Sequence, residues 1–507
     1  MADSDRPADE DETRYVEVDT RAGRVRGAWR PVPGSDVRSA AFLGIPFAQP
    51  PVGDLRFAAP VPPEPWDGVR DALVYGATPQ RTPLAEVTLI PEPSVPGDAT
   101  LNVNVFTPRP GDPDAALPVI VWIHGGGFTA GSPASSWYDG TAFNRDGVVT
   151  VTVSYRLCFD GFGWIPGAPA NRGVRDWLAA LEWVRDNVAA FGGDPGRVTI
   201  AGQSAGGGAV LTLLGMPAAQ DLFHAAWSLS GALANVSKER AGTLSAKIAR
   251  LAGVSANRAG FASIDEGVLA GLQDKALHDD SGDRLAGIRT LLEDGLSWGP
   301  VVDGELLPQP TIEAIRSGMG ADKPLVLGAA DDEFTMVTDA AKAKLRWIPA
   351  GLALGKLGLP PRPRREYLAA NRPQRRLGTA AVLGRYVTDV VFRAPVVRIA
   401  DARGDATTWV YRFVWVSPSI GWACHCLDVP FWFDRLGSPE GIPHLAGDHP
   451  PQPLADAVHG AAVAFARETR PGWTPWSAQP GTTRLFGVGP SARDVLPDGY
   501  ASVRALL

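Results

Sequence analysis

Residues 202–206 read Gly202-Gln203-Ser204-Ala205-Gly206, a serine set between two glycines. The run before it, Val198-Thr199-Ile200-Ala201, is apolar and of strand type, and the residues after it are small and suit a helix. A serine at a sharp strand-to-helix turn stands clear of the backbone, and the helix N-terminus favours negative charge developing there. Such a turn is crowded, so the residues two before and two after the serine must be small, which Gly202 and Gly206 satisfy. This is the G-x-S-x-G nucleophile-elbow pattern, and its chemistry is attack of the Ser204 oxygen on an electrophile. A serine hydroxyl is a poor nucleophile without a base to take its proton and donors to hold the resulting oxyanion.

Candidates exist for both. The apolar run 119–123 ends in His124-Gly125-Gly126-Gly127-Phe128, and three glycines let backbone N–H groups converge without side-chain obstruction. A loop of this type forms one half of an oxyanion hole, and the other half is the N–H after the nucleophile, here Ala205. For the base, partners follow an elbow serine in the order acid, then histidine. His124 precedes the serine, His224 and His278 precede any good acid, His444 and His449 lie in a Pro/Gly-rich loop, and His459 sits in a helical stretch. That leaves His425, which follows the strand-like run 407–415. The acid belongs just past a strand between residues 204 and 425. "PLVLGAADDEF" (324–334) fits, but spacing alone does not choose among Asp331, Asp332 and Glu333.

Holding these groups together requires several strands ending at one edge. The runs 118–123, 147–155, 197–201, 324–328 and 407–415 read as strands, and the first four lack polar alternation, as strands do when both sheet faces are covered. Residues 174–191 carry apolar residues at helical spacing before "GGDPGR" breaks the pattern. Strand, helix, strand in this order predicts an α/β fold with a largely parallel sheet. Residues 81–97 and 359–376 are rich in Pro or charge and are expected to be surface loops or lid segments.

The chain has 507 residues, 45% hydrophobic and 20% charged, with 57 glycines and 46 prolines. That is ample material for a large core joined by many loops. A net charge of −7 without a Lys/Arg-rich run argues against nucleic acid and anionic membranes as partners. Three cysteines (Cys158, Cys424, Cys426) cannot form a disulfide framework and suggest a reducing, cytoplasmic setting. Cys424 and Cys426 flank His425, but alternate residues of an extended segment face opposite ways and no second ligand pair lies nearby, so no metal is expected. Residues 1–13 are acidic, lack an apolar h-region and are expected to be a disordered tail rather than a signal peptide. No apolar run is long enough for a transmembrane helix.

Beyond these motifs, the chain resembles the type-B carboxylesterases, the α/β-hydrolase family that includes cholinesterases and bacterial para-nitrobenzyl esterases. The likeness rests on "FLGIPFAQPPVGDLRFAAPVPPEPWDGVRDA" (42–72), "NRGVRDWLAALEWVRDNVAAFGGDPGRVTIAGQSAGG" (171–207) and "WGPVVDGELLP" (298–308). It implies an α/β-hydrolase domain over residues 14–507, a large mostly parallel sheet flanked by helices, with loop and helical insertions capping the site. It implies Ser204 as nucleophile, Gly126, Gly127 and Ala205 as oxyanion donors, Glu333 as the acid and His425 as the base. Three departures stand out. Gln203 replaces the glutamate that animal members carry, the cysteine of the family's "EDCLYLNV" is missing from "GDATLNVNV" (97–105), and Cys158 and Cys426 stand where glycines are usual.

The implied reaction is hydrolysis of a small carboxylic ester through an acyl-enzyme, with no cofactor, in a monomer or homodimer. Activity is expected to rise with pH through about 6–7 as His425 becomes neutral. Phe128, Gln203, Phe334, Trp422 and Phe431 lie beside motif residues and are expected to line an apolar cleft suited to apolar or aromatic esters, Phe128 and Phe334 foremost. The same machinery would cleave an aryl carbamate or amide. A non-catalytic binding protein on this fold is disfavoured by the presence of all three triad residues.

Overall fold

The computed structural model of the chain describes residues 14–79, 89–277, 284–438, 440–487 and 494–507. The acidic segment 1–13, residues 81–88 of the Pro-rich stretch and His278 lie outside these. The strands in chain order are β1 (Tyr15–Asp19), β2 (Arg24–Pro31), β3 (Arg38–Pro46), β4 (Val69–Asp71), β5 (Asn102–Thr107), β6 (Leu117–Ile123), β7 (Val149–Val153), β8 (Gly193–Gln203), β9 (Ala225–Leu229), β10 (Val236–Ser237), β11 (Val301–Val302), β12 (Leu325–Ala330), β13 (Thr408–Phe413), β14 (Thr483–Phe486) and β15 (Val495–Leu496). All but β10 and β11 belong to one sheet, ordered β1-β2-β3-β5-β7-β6-β8-β9-β12-β13-β14-β15 with β4 beside β2. From β7 to β14 every pairing is parallel. The first strands, β1-β2-β3-β5-β7, pair antiparallel, an extension that the strand–helix–strand reading did not anticipate.

The missing polar alternation has the expected cause. On β6, Val119, Val121 and Ile123 face one core with Val174, Trp177, Leu181 and Val184 of the helix Arg172–Asn187. Ile120 and Trp122, the alternate residues, face a second core with Trp432 and with Val458 and Phe465 of the helix Gln452–Glu468. Helices therefore cover both faces, and the strand must be apolar throughout. Among the described residues no helix is long and apolar enough to cross a membrane.

Residues 359–376, expected as surface loops or lid segments, are not loops. They form two helices, Pro361–Ala370 and Arg372–Leu377. Prolines in the first turns suit helix starts, Tyr367 anchors the first helix in a buried cluster, and the charges that suggested a loop make up its outer face.

One buried ion pair ties the long helix to the sheet. The Arg156 guanidinium donates to both oxygens of Asp176 at 2.6 and 2.9 Å, and its backbone N–H donates to the same carboxylate at 3.0 Å. Both side chains are almost fully buried. Removing one partner strands the other charge in a dry site, which costs about 3–5 kcal/mol. Asp176→Ala should therefore lower the midpoint of chemical denaturation by an amount equivalent to that energy. An unchanged midpoint would contradict the pair's structural role.

Candidate active site

Ser204 follows β8 directly and precedes the helix Ala205–Leu214, with φ 59° and ψ −122°. A left-handed φ is costly for a serine, and the surrounding backbone holds it: the Ser204 N–H donates to Leu229 O at 2.9 Å, and its carbonyl accepts from Gly208 N at 2.9 Å. Gly206 shows why the turn needs glycines, since a Cβ there would overlap the carbonyl of Ile123 at the end of β6. β6 and β8 are neighbours in register, Ile123 opposite Gly202, so the loop leaving β6 emerges beside the elbow.

That loop carries Gly125, Gly126 and Gly127. Gly126 has φ +114°, and its carbonyl accepts from the N–H groups of Thr129 and Ala130 at 3.0 and 2.9 Å. The loop is braced from behind: Tyr155 OH donates to His124 O at 2.9 Å, and Cys158 N donates to Phe128 O at 2.8 Å. The left-handed Cys158 thus stands where it holds the loop, and burial pushes its thiol up to about 12.

Glu333 and His425, the expected acid and base, reach the same edge from β12 and β13, which pair with Ala330 opposite Phe413. Of the three adjacent acids, Asp331 is bound by Arg412 at 2.6 Å and Asp332 by Arg385 at 2.9 Å. For Asp331, the charges of Arg412, Arg393 and Arg385 outweigh burial and hold its carboxyl well below the usual range. Glu333 alone turns to the histidine. His425 Nδ1 donates to Glu333 Oε2 at 2.5 Å, while Glu333 Oε1 accepts from Ala330 N at 2.7 Å. Phe334 stacks on the imidazole at 5.1 Å, and Phe392 packs on it at 5.0 Å.

The other ring nitrogen, Nε2, lies 3.2 Å from Gln203 Nε2, whose amide donates to it when the imidazole is neutral. Gln203 Oε1 is buried with no hydrogen-bond partner among the described residues. An imidazolium donates at both nitrogens, so the protonated ring requires that amide to turn its oxygen inward. Burial disfavours a proton on His425, but Cys426 and Glu333 outweigh it and hold the ring above the ordinary imidazole value. Because burial also pushes the Cys426 thiol up, that sulfur is protonated near neutrality, and the Glu333 carboxylate is the charge responsible. The expected rise of activity through about pH 6–7 therefore moves to higher pH. Nearby, burial and then the Glu333 charge push the Asp428 carboxyl up to about 7.

Ser204, Gly125, Gly126, Gly127, Gln203 and His425 share one cavity of about 180 Å³ with a mainly apolar lining. Sequence comparison assigns the chain's family. Residues 14–352 match the model described as the carboxylesterase family. The chain is 34% identical over 471 residues to the para-nitrobenzyl esterase of Bacillus subtilis (strain 168), covering 90% of each. The chain belongs to the carboxylesterase family. It is also 35% identical over 422 residues to the cocaine esterase of Oryctolagus cuniculus, covering 78% of this chain and 76% of that one. Its structure matches a carboxylesterase of Geobacillus stearothermophilus with a TM-score of 0.81 and 32% identity, over 96% of this chain and 99% of that one. The protein is a carboxylic ester hydrolase of the α/β-hydrolase fold.

Two of the five pocket residues expected in this esterase, Gln203 and Phe334, line the cavity. The other three do not. Phe128 follows the loop's reversal, and its ring packs behind the loop on Phe162 and Trp177, fully buried. Trp422 donates to Asp339 at 2.7 Å, away from the cavity. Phe431 is buried against Phe413 and Trp415. The remaining apolar wall comes from Ile90, Tyr138, Leu291, Leu296, Val391 and Phe392. Val391 and Phe392 sit on a π-helical turn, Asp389–Arg393, and no local motif marks any of the six. Cys426, with φ +66°, also lines the cavity.

An NMR titration of His425 should give a pKa above 6.5. Glu333→Gln removes the neighbouring negative charge and should lower that pKa. Gln203→Glu adds one and should raise it further. A value unmoved by either change would contradict this electrostatic account.

Proposed function

We propose that this esterase acts through an acyl-enzyme on Ser204. His425 takes the Ser204 proton as the hydroxyl adds to the ester carbonyl, and Glu333 fixes the imidazole's tautomer and balances its charge. The N–H groups of Gly126, Gly127 and Ala205 hold the oxyanion of the tetrahedral species. His425 then protonates the leaving alcohol. Water activated by the same imidazole releases the acid.

The observation that carries this reading is the buried 2.5 Å contact of Glu333 with His425, whose ring lines the cavity that also holds the left-handed Ser204. The requirement for neutral His425 sets the pH dependence: a raised pKa depletes the base form at acid pH, so the rate climbs only as pH passes through that raised value.

The cavity also bears on substrate. Its volume of about 180 Å³ is below the roughly 300–1,000 Å³ of a drug-sized site, and its walls are aromatic and aliphatic. Short-acyl esters of aromatic alcohols fit such a space better than long acyl chains do. The relative named para-nitrobenzyl esterase supports the same class.

Ser204→Ala should lower kcat on a nitrophenyl ester about 10⁴–10⁶-fold with little change in KM, and should abolish labelling by a phosphonate ester. Residual activity near that of the parent would overturn the assignment. Across nitrophenyl esters, anilides and aryl carbamates, kcat/KM should be highest for short-chain nitrophenyl esters. A preference for the anilide or carbamate would reassign the substrate class.

A further inference from the structure

The expectation of no anionic-membrane partner rests on a net charge of −7 and on the lack of a contiguous Lys/Arg run, but that charge is unevenly distributed. Residues 337–377 contain ten lysines and arginines against two acids, a local net charge of +8, so the rest of the chain is strongly acidic. Arg362 is the one basic residue of the ten with a carboxylate partner among the described residues, Glu366 at 3.1 Å. The single acid left, Asp339, accepts from Trp422. Lys342, Lys344, Arg346, Lys356, Arg372, Arg375 and Arg376 are exposed.

The same 41 residues hold Val337, Trp347, Ile348, Leu352 and Leu377, five of the fourteen exposed large hydrophobic residues among the described residues. Trp347 is 79% exposed, with the Arg346 guanidinium over its ring at 4.8 Å. These apolar groups come from separate segments that meet at the start of the helix Thr379–Thr388. Thr379 Oγ1 donates to Ile348 O at 2.5 Å, Thr338 Oγ1 donates to Ala380 O at 2.9 Å, and Leu377 ends the preceding helix, one residue before this one begins. Val337, Ile348 and Leu377 therefore occupy one neighbourhood, with Trp347 and Leu352 adjoining in sequence.

We propose that this basic, apolar-studded face docks reversibly on an anionic lipid bilayer. Cationic side chains interspersed with Trp and Leu are what an interfacial segment presents: the charges meet acidic headgroups, and the apolar groups enter the headgroup–acyl boundary. Tryptophan favours that boundary specifically. A nucleic acid would use the charges and stack a base on Trp347 but leave Ile348 and Leu352 unrewarded. Attachment is superficial, since no described helix is long and apolar enough to cross.

The face also adjoins the ester-binding cavity. Leu291 of the helix Arg284–Asp294 lines the cavity, while Ile288 and Leu292 of that helix pack into the hydrophobic cluster beneath the face. Phe334, at the other wall, leads straight into the helix Thr335–Asp339. Docking through residues 337–377 would bring the cavity close to esters dissolved in the lipid.

The test is flotation of the full chain with phosphatidylcholine vesicles, with and without about one-third phosphatidylglycerol. Partitioning should be about tenfold or more higher on the anionic vesicles and should weaken as salt is raised from about 0.1 to about 0.5 M. Two surface variants, the triple Arg372→Glu/Arg375→Glu/Arg376→Glu and the double Trp347→Ala/Leu352→Ser, should each lose about tenfold in partitioning. Both should hydrolyse a water-soluble nitrophenyl ester like the parent, which reports folding independently of docking. Equal partitioning to both vesicle types, or an unaffected charge-reversal variant, would overturn the proposal. So would loss in the charge variant with none in the Trp347/Leu352 variant, which would show electrostatic adsorption without entry of the apolar groups into the bilayer.

Discussion

The site depends on one close approach of backbone to backbone. Gly206, in the first turn of its helix, lies against the carbonyl of Ile123 with no room for a side chain between them. That contact sets the elbow against the end of β6, so Ser204 and the loop of Gly125, Gly126 and Gly127 come from adjacent strands in fixed register. A left-handed residue other than glycine costs about 1–3 kcal/mol, and it persists only where its surroundings leave it no alternative. Here the neighbouring backbone of Leu229 and Gly208 supplies that constraint. The strain exposes a serine side chain that an ordinary strand-to-helix turn would bury.

The histidine side follows a different logic. Glu333 is one of three adjacent acids, and what separates it from the other two is partner supply. Arg412 and Arg385 bind Asp331 and Asp332, so the remaining carboxylate is free to turn toward His425. Phe334 and Phe392 pack on the imidazole and keep water from the pair. The low-dielectric surroundings strengthen the hydrogen bond and tie the histidine's proton affinity to one buried charge. Gln203 adds a neutral amide that suits either ring state by reversing its ends. A glutamate there would favour only the protonated one.

What sequence reading captures here is whatever is encoded locally. The elbow, the glycine loop and the strands 118–123, 197–201 and 324–328 each declare themselves within a few residues, because turn chemistry and strand burial act at that range. The choice of Glu333 is not local. The arginines that occupy Asp331 and Asp332 lie more than fifty residues away, and only the resemblance to a family pointed past them. The cavity wall was the least legible part. Leu291, Val391 and Phe392 are ordinary apolar residues of helical segments, and nothing in their neighbours says that the chain folds them over the serine. Phe128 was expected in the cleft on adjacency alone, but the left-handed turn that frees the glycine amides also sends its ring backward into the core. The charge-rich stretch 359–376 reads as surface loop or lid for a similar reason: its outward face dominates the composition, and Tyr367, which anchors it, is a single residue.

The path of the chain through the sheet also has a kinetic consequence. Glu333 and His425 stand 92 residues apart, and Gln203 and His425 stand 222 apart. During synthesis the elbow and its glycine loop leave the ribosome long before the imidazole exists, and contacts of such long sequence separation are slow to close. On the proposed mechanism, a nascent or half-assembled chain carries Ser204 without its base and is inert toward esters until β13 has docked beside β12. Recovered turnover is therefore a report on the last stage of assembly, not the first.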